Sequence, residues 1–157
     1  SITLMGPGKA FNLAGILGFG IAIIPDAALR ARFERHIFGI SGHPTGIAYH
    51  ATLAAYRDCD EWLVSLIEYL RSNRNYLQAE IDRIPGITMS AVEATFLGWL
   101  DVSALNLDAP HQHFLNGGVA LSDGTDMGMS GHLRLNFGCA RSTLEEMVSR
   151  IARSAAS

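Results

Sequence analysis

The chain has 157 residues, 48% hydrophobic and 17% charged, which is typical of a globular protein able to bury a sizeable core. Its net charge of −3, with no basic run, argues against nucleic-acid binding. The longest apolar stretch, about residues 14–25, is too short to span a bilayer and follows no secretion signal, so we expect a cytoplasmic protein whose two distant cysteines stay reduced.

Two short strands are predicted near the start of the chain. Residues 2–5 and 19–24 are apolar and bounded by Gly or Pro, as buried strands should be, and we expect both in one sheet. Between them, residues 10–16 are long enough for about two helical turns. A short helix is predicted over residues 26–36, and Pro44 opens another helix as its first-turn residue.

A long amphipathic helix is predicted after a boundary at residues 58–60. Apolar residues recur mostly at steps of three and four over residues 60–84. The last helix is predicted to open at Ser142, with Glu145 completing a capping box. The remaining segment predicts a small α/β layer with strands at residues 87–89, 95–100, 119–121 and 132–137.

The only lysine of the chain lies in a Gly/Pro turn after the first strand. Lys9 follows residues 6–8, Gly-Pro-Gly, and therefore lies at a strand end, where substrate sites of α/β enzymes commonly are. Taken alone, a lysine beside glycine is most often a solvated turn residue. A phosphate-binding loop does not fit, because Ala10 stands where Ser or Thr is needed and Thr3 where a glycine is needed.

Four segments of the chain can be compared with known sequence motifs. They are KAFNLAG at residues 9–15, IIPD and LRARF within residues 23–33, EATFLGWLD at residues 93–101 and RLNFGCAR at residues 134–141. Together they resemble the pyridoxal-phosphate (PLP) enzymes of the class I/II aminotransferase superfamily, and most closely the bacterial cystathionine β-lyase-type C–S lyases. The match spans nearly the whole chain and is more specific to the superfamily than to the lyase branch.

The resemblance implies an α/β fold in three parts. Residues 1–60 would end the PLP-binding large domain with two sheet strands plus helices, residues 61–85 would form the connecting helix, and residues 86–157 the small α/β C-terminal domain. Because the family's cofactor lysine lies past the middle of a longer chain, we expect this chain to be a C-terminal part. A homodimer or larger association and a small amino-acid substrate are also implied, with no nucleic acid or membrane as partner.

The resemblance also implies roles for single residues. Lys9 would be the Schiff-base lysine of pyridoxal 5′-phosphate and the carrier of the substrate's α-proton, while Arg134 would bind the α-carboxylate through two parallel hydrogen bonds. Backbone N–H groups at Gly6 and Gly8 would face the cofactor phosphate. The family's hydroxyl residues beside the lysine are replaced here by Gly8 and Ala10. The residues that stack on the pyridine ring and pair with its nitrogen lie N-terminal to this segment in the family.

The sequence leaves open which reaction is catalysed and whether the chain belongs to an active enzyme. We expect C–S β-elimination ahead of transamination, but both begin from the same α-carbanion, and the residues do not separate them. The rival to an enzyme is a truncated, non-catalytic remnant or assembly module. That rival is supported by the missing half of the site and by the absent hydroxyls beside Lys9.

Some polar and aromatic residues admit further interpretations. The loop at residues 124–131 fits either a lid near the site entrance or a plain surface loop. The aromatic residues Trp62, Phe96 and Trp99 are interpreted as core. No metal is expected, because no metal-binding spacing occurs among His111, His113, His132, Asp123 and Asp126.

Overall fold

The computed structural model describes residues 1–15 and 20–157, and the chain divides into two compact units, residues 1–66 and 67–157. Each unit combines a sheet with helices, which confirms the predicted α/β class. None of the helices within the described residues has the length and apolar content needed to cross a membrane.

The first unit contains one pair of short strands. Its elements are β1 (Thr3–Met5), α1 (Pro7–Ala10), β2 (Ile21–Ile23), α2 (Ala27–Ile37) and α3 (Gly46–Asp58). β1 and β2 run antiparallel and lie in one sheet, as predicted, but the predicted burial is wrong for β1, whose three residues are all exposed. Residue 19, at the start of the predicted second strand, lies outside the described residues.

Helices α2 and α3 of the first unit begin with side-chain caps. Asp26 accepts a hydrogen bond from the amide of Leu29 at 2.7 Å, so α2 begins where the sequence predicts. Thr45 accepts from the amide of Ala48 at 3.2 Å. The third helix therefore begins after Thr45, and Pro44 precedes its cap instead of forming its first turn.

The segment after β1 differs from the prediction. The two-turn helix predicted over residues 10–16 is wrong for its described part, because α1 ends at Ala10 and residues 11–15 form turns. Asn12 adopts a left-handed backbone with φ of 53°, which ends a helix. The amides of Leu13 and Ala14 then both donate to the carbonyl of Gly8, at 3.0 and 3.2 Å. Residue 16 lies outside the described residues.

The long helix α4 (Asp60–Ile81) is present as the sequence predicts, and the boundary between the units falls inside it. Its later turns bury Asn73, Leu77 and Ile81. These residues are four positions apart and therefore share one helix face.

The second unit contains a four-stranded antiparallel sheet. Its further elements are β3 (Thr88–Met89), β4 (Leu97–Asp101), α5 (Pro110–Asn116), β5 (Ser122–Asp123), β6 (His132–Asn136) and α6 (Arg141–Ala155), with 3₁₀ turns at Ser103–Leu105 and Thr125–Met127. The strand order is β3-β4-β6-β5, so β6 is paired on both sides. One sheet face forms the core, where Leu133 and Leu135 of β6 pack with residues of the helices, among them Phe114 and Ile151.

One strand predicted in the second unit is not formed. The strand predicted at residues 119–121 is wrong, and the ladder begins instead at Ser122, opposite Arg134. Val119 and Leu121 are buried in the core without pairing in a ladder, so their apolar character reflects burial alone.

The predicted capping box of the last helix is also wrong. Ala140 is the N-cap of α6, and no side chain caps it. The helix begins before Ser142, so Ser142 cannot serve as the cap for Glu145. The amide of Arg141 donates instead to the hydroxyl of Tyr69, at 2.7 Å.

The predicted aromatic core is correct only in part. Phe96 is half-buried and packs against the core cluster of the second unit. Trp99 is half-buried on the opposite sheet face, and Trp62 is 47% exposed. The prediction is therefore wrong for both tryptophans.

Candidate functional site

Lys9 lies on the single-turn helix α1, directly after β1. Gly6 precedes the helix in an extended conformation, and Pro7 occupies the first helical position, where its missing N–H is not needed. The side chain of Pro7 is fully buried, whereas that of Lys9 is exposed. Within the described residues, Lys9 makes no hydrogen bond or ion pair.

An aromatic contact holds the end of α1. Phe11 is 7% exposed, and its ring lies 5.1 Å from that of Tyr56 and 6.3 Å from that of Trp62. Its amide donates to the carbonyl of Pro7 at 2.9 Å. The packing of Phe11 therefore fixes the turn that carries Lys9.

The two glycines beside Lys9 remain candidates for anion binding by the backbone. The amide of Gly8 lies in the first turn of α1, where no helical carbonyl can accept it. A Cβ at Gly8 would make only ordinary contacts with Ala14, at 3.4 to 3.6 Å, so packing does not require glycine there. The phosphate contacts of Gly6 and Gly8 stay predictions.

Arg134 lies on the sheet face opposite the core of the second unit. It is half-buried on β6, between Trp99 of β4 and Ser122 of β5. Its Nη2 donates to the hydroxyl of Ser122 at 3.1 Å, and its Nη1 lies 3.9 Å from the sulfur of Met127. Within the described residues, no carboxylate lies within 4.0 Å of this guanidinium.

Close to Arg134 on the same sheet face, the carboxylate of Asp101 is already hydrogen-bonded to Ser103. The rings of Trp99 and His132 stack with centroids 5.7 Å apart, and Nε2 of His132 lies 3.8 Å from a carboxylate oxygen of Asp101. Asp101 accepts hydrogen bonds from the hydroxyl and the amide of Ser103, at 2.6 and 2.9 Å. These bonds, with a smaller contribution from His132, lower the pKa of Asp101. Asp101 therefore stays ionised and engaged with Ser103.

The loop between β5 and β6 brings Met127 to Arg134. The amide of Gly124 donates to the carbonyl of His132, and the amide of Met129 donates to the carbonyl of Gly124, both at 2.9 Å. These bonds close the loop around its 3₁₀ turn. Both interpretations of this loop, as a lid near the site entrance and as a plain surface loop, stay predictions.

The histidines considered as metal ligands are not gathered into one site. His111 and His132 line a pocket of about 520 Å³ together with Asp123. Nε2 of His113 instead bonds to the backbone carbonyl of Ser154, at 2.7 Å. Among the described residues, no group of three or more His, Cys, Asp or Glu side chains is arranged to hold a metal ion.

Sequence reasoning named Arg134 but missed its partners. Ser122 and Met127 lie 12 and 7 positions away in the chain and meet Arg134 through strand pairing and loop closure. The polar Ser122 directly after the apolar Leu121 was the available signal. It could not be interpreted without the register that sets Ser122 opposite Arg134.

Comparison with known proteins places these features in context. The family model described as "Aminotransferase class I and II" matches residues 1–151. Cystathionine beta-lyase PatB of Bacillus subtilis (strain 168) is 38% identical over 159 residues, which cover 96% of this chain and 41% of PatB. These matches confirm the resemblance predicted from the four sequence segments.

Solved structures show the same likeness. The crystal structure of OvoB is 44% identical with a TM-score of 0.94, covering 100% of this chain and 41% of that chain. The PLP-bound C–S lyase from Staphylococcus hominis is 30% identical with a TM-score of 0.86, covering 99% of this chain and 41% of that chain. The chain thus spans about two fifths of the length of the relatives that it matches.

Proposed function

Because this chain belongs to the class I and II aminotransferase family, we propose that it is part of a pyridoxal 5′-phosphate-dependent C–S β-lyase that acts on a small amino acid. The observation that carries the proposal is Arg134, a half-buried guanidinium with no carboxylate partner within the described residues. The similarity of this chain to PatB, which is named a cystathionine beta-lyase, favours β-elimination. Transamination is the alternative, supported by the family description itself.

The residues present fit the cofactor. Lys9 offers an exposed primary amine to the cofactor aldehyde, and it is the only lysine of the chain. We assign the hydrogen bonds to the cofactor phosphate to backbone N–H groups at Gly6 and Gly8, because the side chains of Gly8 and Ala10 provide no hydroxyl. When bound, pyridoxal 5′-phosphate supplies the electron sink that stabilises negative charge at the substrate's α-carbon.

Arg134 binds and orients the substrate. A planar guanidinium makes two parallel charge-assisted hydrogen bonds to an α-carboxylate, which lysine cannot reproduce. The nearest acidic side chain on its sheet face, Asp101, is engaged with Ser103 and does not neutralise Arg134. The positive charge of Arg134 is therefore available to bind a ligand carboxylate.

Lys9 moves the proton. Once the substrate's amine has displaced it, its Nζ would take the proton from the substrate's α-carbon as a general base. In β-elimination a thiolate would then leave from the β-carbon of the substrate, whereas in transamination no thiolate leaves and Lys9 would pass the proton on. The same lysine serves both outcomes.

The first test is chemical trapping in the protein expressed from its complete gene. Borohydride reduction after incubation with pyridoxal 5′-phosphate should add the cofactor mass to the peptide that contains Lys9. Lys9→Ala and Lys9→Arg should both lose this label from that peptide, because neither variant has the primary amine. Arg134→Ala is the matched control and should keep it. A wild-type protein without the label on Lys9 would contradict the proposal.

The second test separates the two reactions. Release of pyruvate from L-cystathionine is expected if β-elimination is correct. Formation of a new amino acid from a 2-oxo acid acceptor, without pyruvate, would indicate the aminotransferase instead. A purified, cofactor-loaded protein that yields neither product rules out both forms of the proposal.

A further inference from the structure

We propose that Ser122 is a positioning residue that holds the guanidinium of Arg134 in the orientation needed to bind a substrate carboxylate. The inference rests on the proposed function, in which Arg134 is the carboxylate-binding group. It assigns a role to a side chain that does not itself need to touch the substrate.

The strand register places the two side chains together. Ser122 of β5 pairs directly with Arg134 of β6, so both project from the same sheet face. Nη2 of Arg134 donates to Oγ of Ser122 at 3.1 Å, and both residues are half-buried. A partly desolvated bond to a charged donor is stronger than an exposed neutral one.

The other neighbours of Arg134 cannot replace this acceptor. Trp99, opposite Arg134 on β4, has an indole that donates but does not accept hydrogen bonds. Met127 offers only a thioether sulfur, a weak acceptor at 3.9 Å. Among the described residues, Ser122 thus supplies the only oxygen acceptor for this guanidinium.

A serine at this position orients the charge without neutralising it. A guanidinium has five N–H bonds. Ser122 and Met127 engage one each, which leaves three for a ligand, and a carboxylate takes two. An acidic residue in place of Ser122 would compete with the substrate, whereas a hydroxyl does not.

The kinetic consequence concerns binding more than chemistry. The substrate's carboxylate is unchanged between the bound substrate and the transition state, so its contact with Arg134 stabilises both equally. Loss of the acceptor in Ser122→Ala should therefore raise KM about tenfold while kcat stays within about twofold. Arg134→Ala should raise KM about a hundredfold or more, because the whole charged contact is lost.

The experiment compares four single variants in the protein expressed from its complete gene, with L-cystathionine as substrate. Ser122→Ala and the nearly isosteric Ser122→Cys should both raise KM, whereas Ser122→Thr keeps the hydroxyl and should restore the wild-type KM. Ser90→Ala is the matched control, because Ser90 is exposed and, within the described residues, its hydrogen bond is made by its backbone amide. Thermal unfolding of each variant checks the fold. If Ser122→Ala does not fold, the test is the difference in KM between Ser122→Cys, which lacks the hydroxyl, and Ser122→Thr, which keeps it.

A double-mutant cycle decides whether Ser122 acts through Arg134. In the Arg134→Ala background, Ser122→Ala should have no further effect on KM. An equal increase of KM in both backgrounds, or an unchanged KM in Ser122→Ala alone, would overturn the inference. If Arg134→Ala itself leaves KM unchanged, the proposed function fails and the inference falls with it. If only Ser122→Ala has no effect, the inference alone is wrong.

Discussion

At Asn73 a polar side chain occupies the buried face of α4. It has no exposed surface, and its Nδ2 donates to the carbonyls of Phe137 and Cys139, at 3.1 and 2.9 Å. Its Oδ1 has no partner within the described residues. Asn73 therefore ties the connection between β6 and α6 to the long helix through its amide donors alone.

We expect Asn73→Asp to destabilise the protein strongly. The change keeps the shape of the side chain but removes both donors and places a carboxylate beside two carbonyl oxygens. The expected loss in free energy of unfolding is about 3 kcal/mol or more, measured by urea denaturation.

Asn75→Asp is the matched control for this change. Asn75 is exposed, and its Oδ1 accepts hydrogen bonds from Arg74, which a carboxylate can also accept. The expected change is within about 0.5 kcal/mol. Equal losses in the two variants would show that the bonds of Asn73 do not stabilise the fold.

The residue scale also shows what the sequence could and could not predict. Periodicity located the helix and its core positions Leu77 and Ile81, and Asn73 continues their spacing by four. It could not show that Asn73 is buried, because its partners are backbone carbonyls 64 and 66 positions away. Lys9 and Arg134 were identified through a resemblance between whole segments, and neither stands out by residue type alone.

Among the elements, the loop between β5 and β6 depends on a close backbone approach at Gly124. A Cβ there would meet the carbonyl oxygens of His132 and Met129 closer than real Cβ contacts allow. Its φ of −68° is ordinary, so space, and not backbone conformation, requires the glycine.

Gly124→Ala should therefore open this loop. We expect a loss of about 2 kcal/mol or more in stability, because backbone atoms on both sides must move. Gly124 directly follows β5, which carries Ser122, so the KM of the proposed reaction should also rise. Thermal unfolding and steady-state kinetics measure the two effects.

Gly128→Ala is the contrasting variant in the same loop. Gly128 has a φ of +85°, and among the described residues no atom beyond its chain neighbours would lie within 4 Å of an added Cβ. Only backbone strain of about 1 to 2 kcal/mol is therefore expected. A larger loss in Gly128→Ala than in Gly124→Ala would contradict the role assigned to the close contact.

Element prediction failed where a tertiary partner replaced a local one. The amide of Arg141 is satisfied by Tyr69 of α4, 72 positions away, so α6 begins without the capping box that the local sequence suggests. Residues 119–121 are apolar enough for a strand but are buried outside the ladder. The local sequence was a good guide to the long helix α4, whose amphipathic pattern extends over many turns.

For the whole molecule, the first unit exposes apolar side chains that a free chain would bury by association. Phe38 and Ile40 are 89% and 84% exposed, and Leu4 and Ile47 are also exposed. Apolar surface of this kind favours contacts with another copy. We therefore expect the 157-residue chain to self-associate at micromolar concentration.

Light scattering after size exclusion measures this association. Phe38→Ser combined with Ile40→Ser should shift the mass towards that of one chain, because it removes the most exposed apolar groups. Leu115→Ser, which changes an exposed apolar residue of the second unit, is the control and should leave the mass unchanged. A wild-type chain that runs as a single monomer would contradict the prediction.

The position of the unit boundary has a practical consequence for cutting the chain. The boundary lies between Leu66 and Ile67, inside the continuous helix α4, where the backbone is hydrogen-bonded and resists proteases. Limited proteolysis should therefore not release the second unit at this point. A shortened gene intended to express the second unit should begin at Asp60, after the Cys59 that separates α3 from α4, so that the helix is kept whole.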